Sequence, residues 1–265
     1  MRQMGAWFSA KFKAGLQYRA AAWAGIFTQF VFGMARVLIL LAFYRLNPAG
    51  QPMDAAQAVA YIWLGQLFLR LVFYGESELD EEVRTGQIAY NLLRPVPLLG
   101  QYFARTLANR TSSALLRFLP FAPVLLILPE PFRLHLPTSA AGGLVWLLSM
   151  MCTALLSAAI NCAMSMFCFR SVVGDGIRLL VSSLSMLLSG MVIPLPLFPD
   201  RLQTLLMLSP FAGVSDLPNR LYTGALPASM GAAVIALQLF WCAAFMGIAW
   251  LQMTRGLKKL DVLGG

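Results

Sequence analysis

Five of the chain's 11 acidic residues stand in one run, Glu76-Ser77-Glu78-Leu79-Asp80-Glu81-Glu82-Val83-Arg84-Thr85-Gly86. The run has the parts of a short capped helix. Ser77 is placed to cap it, Asp80 follows three residues on, acids suit the positive end of a helix, and Gly86 supplies a stop. A second short piece runs from Gln87 to Leu93 and ends at Arg94-Pro95-Val96-Pro97. An acidic helix is badly matched to anionic lipid and well matched to a protein surface, so the chemistry expected here is docking. Its candidate residues are Glu78, Asp80, Glu81, Glu82, Arg84, Gly86 and Arg94. Other reactive groups are few. His135 stands alone in a Pro-flanked loop, and Cys152, Cys162, Cys168 and Cys242 form no CxxC pair. At least three of these cysteines lie in apolar runs, which points to buried, reduced thiols rather than zinc or a disulfide framework. No HExxH and no GxxxxGK[ST] loop is present, so no catalytic, metal or cofactor residues are expected.

Arg36, Arg70 and Arg117 pose a different problem, because they fall inside long apolar runs that hold no Asp or Glu. A charge at mid-membrane costs at least ~2.5–3.5 kcal/mol. Arg70 is close enough to the end of its run to snorkel, and Arg36 has a harder reach. Arg117 stands near the centre of its run, two turns on from Arg110 and on the same face. Carbonyls, a cavity, a partner subunit, lipid phosphate or an anionic substrate would each satisfy such a group. Arg36, Arg117 and Asn161 are therefore the candidate translocation-path residues, with snorkelling and carbonyl pairing as the alternative.

The elements that must position these groups follow from composition. The chain has 265 residues, 59% hydrophobic and 12% charged, with a mean hydropathy of +0.71. A soluble domain carries about a quarter charged residues, so this much apolar surface requires lipid as its solvent. The net charge of +9 is scattered between apolar runs and never forms a patch with interleaved aromatics, which argues against nucleic acid. Six spans are predicted, at about 21–44, 57–75, 108–128, 139–166, 177–193 and 229–253. With Arg110 and Arg178 counted in the loops they border, thirteen of the 20 Lys and Arg fall on one side of these spans, four on the other and three within. The positive-inside rule then puts both termini in the cytoplasm. Residues 1–20 lack the pattern of a cleavable signal peptide. Met4, Phe8, Phe12 and Leu16 recur every four residues, opposite Ser9, Lys13 and Gln17, as in a helix lying in the membrane interface.

Two further stretches carry a pattern. In the fourth predicted span Ser149, Thr153, Ser157, Asn161 and Ser165 recur at intervals of four. Such a small, mildly polar ridge suits close helix packing and interhelical hydrogen bonds. Ser182, Ser185, Ser189 and Gly190 in the fifth span, and Gly25, Thr28, Gln29 and Gly33 in the first, are candidate subunit seams. The stretch 194–228 is too apolar for a loop yet is broken by Pro194, Pro196, Pro199, Pro210 and Pro218. Non-helical backbone at membrane depth survives only inside protein or along a cavity, so two short helices that dip in without crossing are expected.

The order of these elements resembles the ABC type-2 permease class, particularly its paired bacterial branch. The strings that carry the likeness are Leu-Asp-Glu-Glu-Val-Arg-Thr-Gly-Gln-Ile at 79–88 and Leu-Leu-Arg-Pro at 92–95. Ser-Gly-Met-Val-Ile-Pro-Leu-Pro-Leu-Phe-Pro at 189–199 and Leu-Pro-Asn-Arg-Leu-Tyr-Thr-Gly at 217–224 follow, then Arg-Gly-Leu-Lys-Lys-Leu-Asp-Val-Leu-Gly-Gly at 255–265. Leu260-Asp261 stands where the family tail often has an aromatic and an acid. The resemblance implies an all-α integral membrane protein forming one permease domain over 1–265. It implies an interfacial helix at 1–20, six spans, a cytoplasmic coupling helix within 76–97 and a re-entrant helical hairpin within 194–228. It further implies an ATP-driven exporter in the bacterial inner membrane, built from two permeases, identical or related, on a pair of ABC ATPase subunits that hold the ATP and Mg. The docking residues above become ATPase-coupling residues on this reading. A secondary, ion-coupled transporter would need buried carboxylates, which the predicted spans lack. A membrane enzyme and a membrane assembly protein are the remaining alternatives.

Overall fold

A computed structural model describes residues 2–47, 51–72, 78–93, 96–167 and 174–257, with backbone alone for 2, 3, 80, 83, 84, 174, 175 and 177. Ser77, Arg94, Cys168 and the tail beyond Leu257 thus lie outside the described residues, as do the side chains of Asp80 and Arg84. Among the described residues every regular element is helical.

The chain opens with α1 (Arg2–Gly15) and turns at 16–18 into α2 (Arg19–Leu46). Next come α3 (Ala55–Leu67) and α4 (Leu69–Val72), then α5 (Glu78–Arg84) and α6 (Ile88–Leu92). The long helices α7 (Leu98–Ile127) and α8 (Ala140–Met166) follow, and α9 (Gly174–Leu188) is shorter. Short pieces α10 (Asp200–Met207), α11 (Pro210–Val214) and α12 (Asp216–Thr223) lead to α13 (Gly231–Leu257).

Four helices are long and apolar enough to cross a membrane: α2, α7, α8 and α13 with the turn Ala228–Met230 before it. At about 1.5 Å per residue each exceeds the ~30 Å hydrocarbon core. The residues of the other two predicted spans form shorter helices. A capping box starts α3, in which Asp54 accepts from the Gln57 amide at 2.7 Å and Gln57 returns the bond at 3.1 Å. The helix is then interrupted at Phe68, where no Gly or Pro foretold a break. The helix α9 has 15 residues. Conversely, α7 begins ten residues before the predicted 108. Its first turns are too polar for lipid but are covered by other parts of the chain.

One of those covers is α1. It lies parallel to the first half of α7, close enough that a methyl on Gly100 would strike Met4 and one on Gly15 would strike Ser112. Met4, Phe8, Phe12 and Leu16 are half-buried while Ser9, Lys13 and Gln17 are exposed. The apolar face read from sequence therefore has a protein neighbour in α7.

The stretch 194–228 holds a 3-10 turn (Leu195–Leu197) and three short α-helices rather than two. Its prolines start helices more than they break them. Pro194 and Pro199 precede the turn and α10, and Pro210 opens α11, where a missing N–H costs nothing.

The centre of the fold is α8, with 50% of its most apolar stretch buried inside the protein against 17% for α13. Between α2, α3 and α7 the rings of Phe30, Trp63 and Phe121 meet at centroid distances of 5.9 to 6.5 Å. The Trp63 indole N–H donates to the Phe132 carbonyl at 2.7 Å. Lipid is as apolar as leucine, so what these contacts add is close packing rather than escape from water.

Candidate functional site

Spacing of four puts Glu78 and Glu82 on one face of α5, and that face turns inward. Glu82 accepts from the Tyr102 hydroxyl, from the Asn91 amide at 2.5 Å and from the Arg105 guanidinium at 2.9 Å. Glu78 pairs with Lys11 of α1 at 2.5 Å and lies 3.8 Å from Arg105. The Arg105 guanidinium also sits over the Trp7 ring, 4.3 Å from its centroid. One arginine therefore joins α1, α5 and α7. Beneath it Leu79 and Ile88 are buried among Leu98, Leu99, Met166 and Ala249. Gly86 has φ +74°, a left-handed conformation that closes α5 and that a β-carbon would strain.

The outer face of this layer is different in kind. Glu81 is exposed, and Tyr90 and Leu93 on the following piece are 72% and 83% exposed. Among the described side chains, the acidic run thus divides into two acids that anchor the helix and one that faces away. Sequence reading had treated Glu78, Glu81 and Glu82 alike; the i, i+4 spacing was the signal that separates them. Tyr90 and Leu93 were not singled out, although an exposed aromatic beside an acid is the composition of a docking knob.

Inside the membrane-embedded region the polar ridge of α8 is fully buried. Ser149 donates to the Gln238 side-chain oxygen at 3.1 Å, and the Gln238 amide donates to the Ser149 carbonyl, the Thr153 hydroxyl and the Gly213 carbonyl at 3.2, 3.0 and 2.7 Å. Gln238 thereby ties α13 and α11 to α8. Sequence reading missed it, though it is a lone amide in an apolar run. One turn further, Ser157 donates to the Leu71 carbonyl, and Arg110 donates to the Ser157 hydroxyl at 3.0 Å and to the Arg70 and Leu71 carbonyls at 3.1 and 3.4 Å. Ser157 and Arg110 thereby join α8 and α7 to the Arg70 and Leu71 carbonyls of α4. Ser165 bonds only Asn161 of its own helix, at 3.4 Å.

The residues expected along a path do not converge. Arg36 donates to the Met191 carbonyl at 2.9 Å, and Asn161 is buried against Ser165. Arg117 lies against Gly25, where a β-carbon would fall 2.7 Å from its guanidinium carbon. Gly25 is six residues into α2, about 9 Å from its start, so the Arg117 guanidinium lies nearer that end of α2 than its middle. Arg36 stands eleven residues further along the same helix, about 16 Å away. The small faces considered as subunit seams are for the most part turned inward as well: Ser182, Ser185 and Ser189 are buried and Gly33 packs on Trp63, while Thr28 is exposed.

The outer short helices carry a buried carboxylate. Asp216 at the start of α12 accepts from the Tyr61 hydroxyl at 2.7 Å, and Arg220 lies 3.5 Å from its other oxygen. Gly190 has φ +77°, and a β-carbon there would meet both the Tyr61 hydroxyl and Asp216. Only glycine serves both the backbone and the space.

A bundle of apolar membrane-capable helices, with an ion-paired layer at one end and short broken helices at the other, defines a multi-pass membrane transport component. Residues 31–264 match the family model described as ABC-2 family transporter protein, and the chain belongs to that family. It is an ABC transporter permease, a class of membrane component that associates with an ABC ATPase. Comparison with curated proteins and with solved structures found no match.

Proposed function

We propose that the chain is the membrane half of an ATP-driven exporter, in which an ATPase pair docks on the α5–α6 surface. What supports this is the division of the acidic run. Glu78 and Glu82 fix α5 to α1 and α7, so a push on exposed Glu81, Tyr90 and Leu93 is delivered to two helices at once. On this reading ATP and Mg are held by the ATPase subunits and none by this chain. A second permease, the same or related, completes the path. The α3–α4 and α9 segments complete six spans, and both termini face the cytoplasm of a bacterial inner membrane. Asp80, Arg84 and Arg94 keep their place in the coupling surface from their position in the run. Arg36 and Asn161 act in this conformation as packing groups, together with Ser149, Thr153, Ser157 and Ser165.

The test is reconstitution with a partner ABC ATPase. Glu81→Lys combined with Leu93→Asp should abolish co-purification of the ATPase and permease-stimulated ATP turnover while leaving the melting temperature unchanged. Full stimulation by that variant would remove the coupling role from this surface. External labelling of a cysteine placed at Thr85 would overturn the orientation.

A further inference from the structure

Beside the turn between α1 and α2 the structure has a cavity of about 230 Å³, lined among others by Tyr18, Arg70, Asn109, Ser113 and Arg117. Each of these side chains can donate a hydrogen bond and none is acidic. Among the described residues neither the Arg70 nor the Arg117 side chain has a hydrogen-bond or acidic partner. Arg36 and Arg110, by contrast, have partners: Arg36 a carbonyl, and Arg110 the Ser157 hydroxyl and the carbonyls of Arg70 and Leu71. Two like charges facing one cavity at the edge of lipid repel each other and lack the water that would screen them. Such a pair calls for an anion.

Depth and size narrow the anion. The cavity begins at Gly15 and Tyr18, before the apolar run of α2, and reaches in only as far as Arg117. Tyr18 and Trp23 are exposed at the same level, as aromatic side chains are at a headgroup layer. Two residues deeper than the Gly25–Arg117 contact on each wall, Phe27 and Leu119 are exposed and apolar. One turn beyond Gly25 on the same face of α2, buried Gln29 has both amide atoms without a partner. A polar head therefore has donors, and chains attached to it have an apolar surface to follow.

We propose that this cavity holds the phosphate of an anionic lipid headgroup, gripped by Arg117 and assisted by Arg70, in the leaflet on the α1 side. Lipid phosphate and soluble phosphate share this chemistry, and the experiment separates them. The full chain, purified in a maltoside detergent and stripped of lipid, is titrated with phosphatidylglycerol and separately with inorganic phosphate. Bound lipid is read by native mass spectrometry and stabilisation by melting temperature. One phosphatidylglycerol per chain should bind saturably. Arg70→Gln with Arg117→Gln should weaken it about thirtyfold, at roughly fivefold for each basic residue lost. Arg117→Lys should keep part of the affinity, since charge remains while the planar fork is lost. Gly25→Ala keeps both charges yet crowds the guanidinium, and should weaken binding too. Arg201→Gln, at an exposed arginine elsewhere, should change nothing. Unchanged affinity in both the double variant and Gly25→Ala overturns the site, as does the absence of saturable binding by either probe. Inorganic phosphate that stabilises wild type, fails on the double variant and displaces the lipid would overturn the lipid source while keeping the phosphate site.

Discussion

The ion-paired layer around Arg105 and the polar ridge of α8 solve the same problem with different chemistry. In the first, Lys11, Glu78, Glu82 and Arg105 tie three helices together with full charges on long side chains. In the second, Ser149, Thr153 and Ser157 reach their neighbours with hydroxyls, helped by the amide of Gln238. Near water a charge is cheap to keep and a long side chain tolerates movement. In lipid a neutral group is cheaper, and a hydroxyl bonds only if the helices already touch. The layer is thus a joint, and the ridge is a seam. Arg110 belongs to neither type: it is a buried charge between the two regions, held by the Arg70 and Leu71 carbonyls of α4 and the Ser157 hydroxyl.

The comparison is broken most directly at Glu82. Glu82→Lys places a cation against Arg105 and strips acceptors from Tyr102 and Asn91, and should cost about 3 kcal/mol in unfolding measured in detergent. A loss under about 1 kcal/mol would mean that the layer is held by Leu79 and Ile88 alone. Gln238→Leu should cost about 2 kcal/mol, with interhelical bonds at about 0.6 each, and should loosen α11 and α13 together. Salt separates the two regions. Raising ionic strength to about 1 M shortens the screening length to roughly 3 Å. It should reduce the cost of Glu78→Gln by about 0.5 kcal/mol, because the part-exposed pair of Lys11 with Glu78 is screened, and leave the cost of Gln238→Leu untouched. The smallest effect belongs to Ser165→Ala, which removes a bond within one helix and should stay within about 0.5 kcal/mol of wild type. A larger loss there would extend the seam to the end of α8.

Much of this was legible in the sequence, and what was not has a physical reason. Apolar runs and the Ser149–Ser165 periodicity are local signals, and they marked the long helices and the buried ridge. The capacity of Glu78 and Glu82 to share a face was also local, but which face turned inward depended on Arg105 and Lys11, reached across other helices. The interruption at Phe68 carries no Gly or Pro, and the carbonyls just beyond it are met by Arg110 of α7 and Ser157 of α8, contacts that no local pattern announces. Arg117 was placed at mid-span because hydropathy marks apolar runs, not helices, and α7 extends well before the run begins. Asp216 drew no notice among the prolines of 194–228, because its partner Tyr61 is 155 residues away.

That separation bears on how the protein is made. A ribosome adds residues in order, so Tyr61 enters the membrane long before Asp216 exists. Until the last quarter of the chain is synthesised, the outer half of α3 has a buried hydroxyl without its acceptor, and the pocket at Gly190 is unformed. The short helices before α13 therefore lock α3 late in assembly, and a chain truncated before α12 would keep α2, α7 and α8 while lacking both α13 and the carboxylate that holds Tyr61.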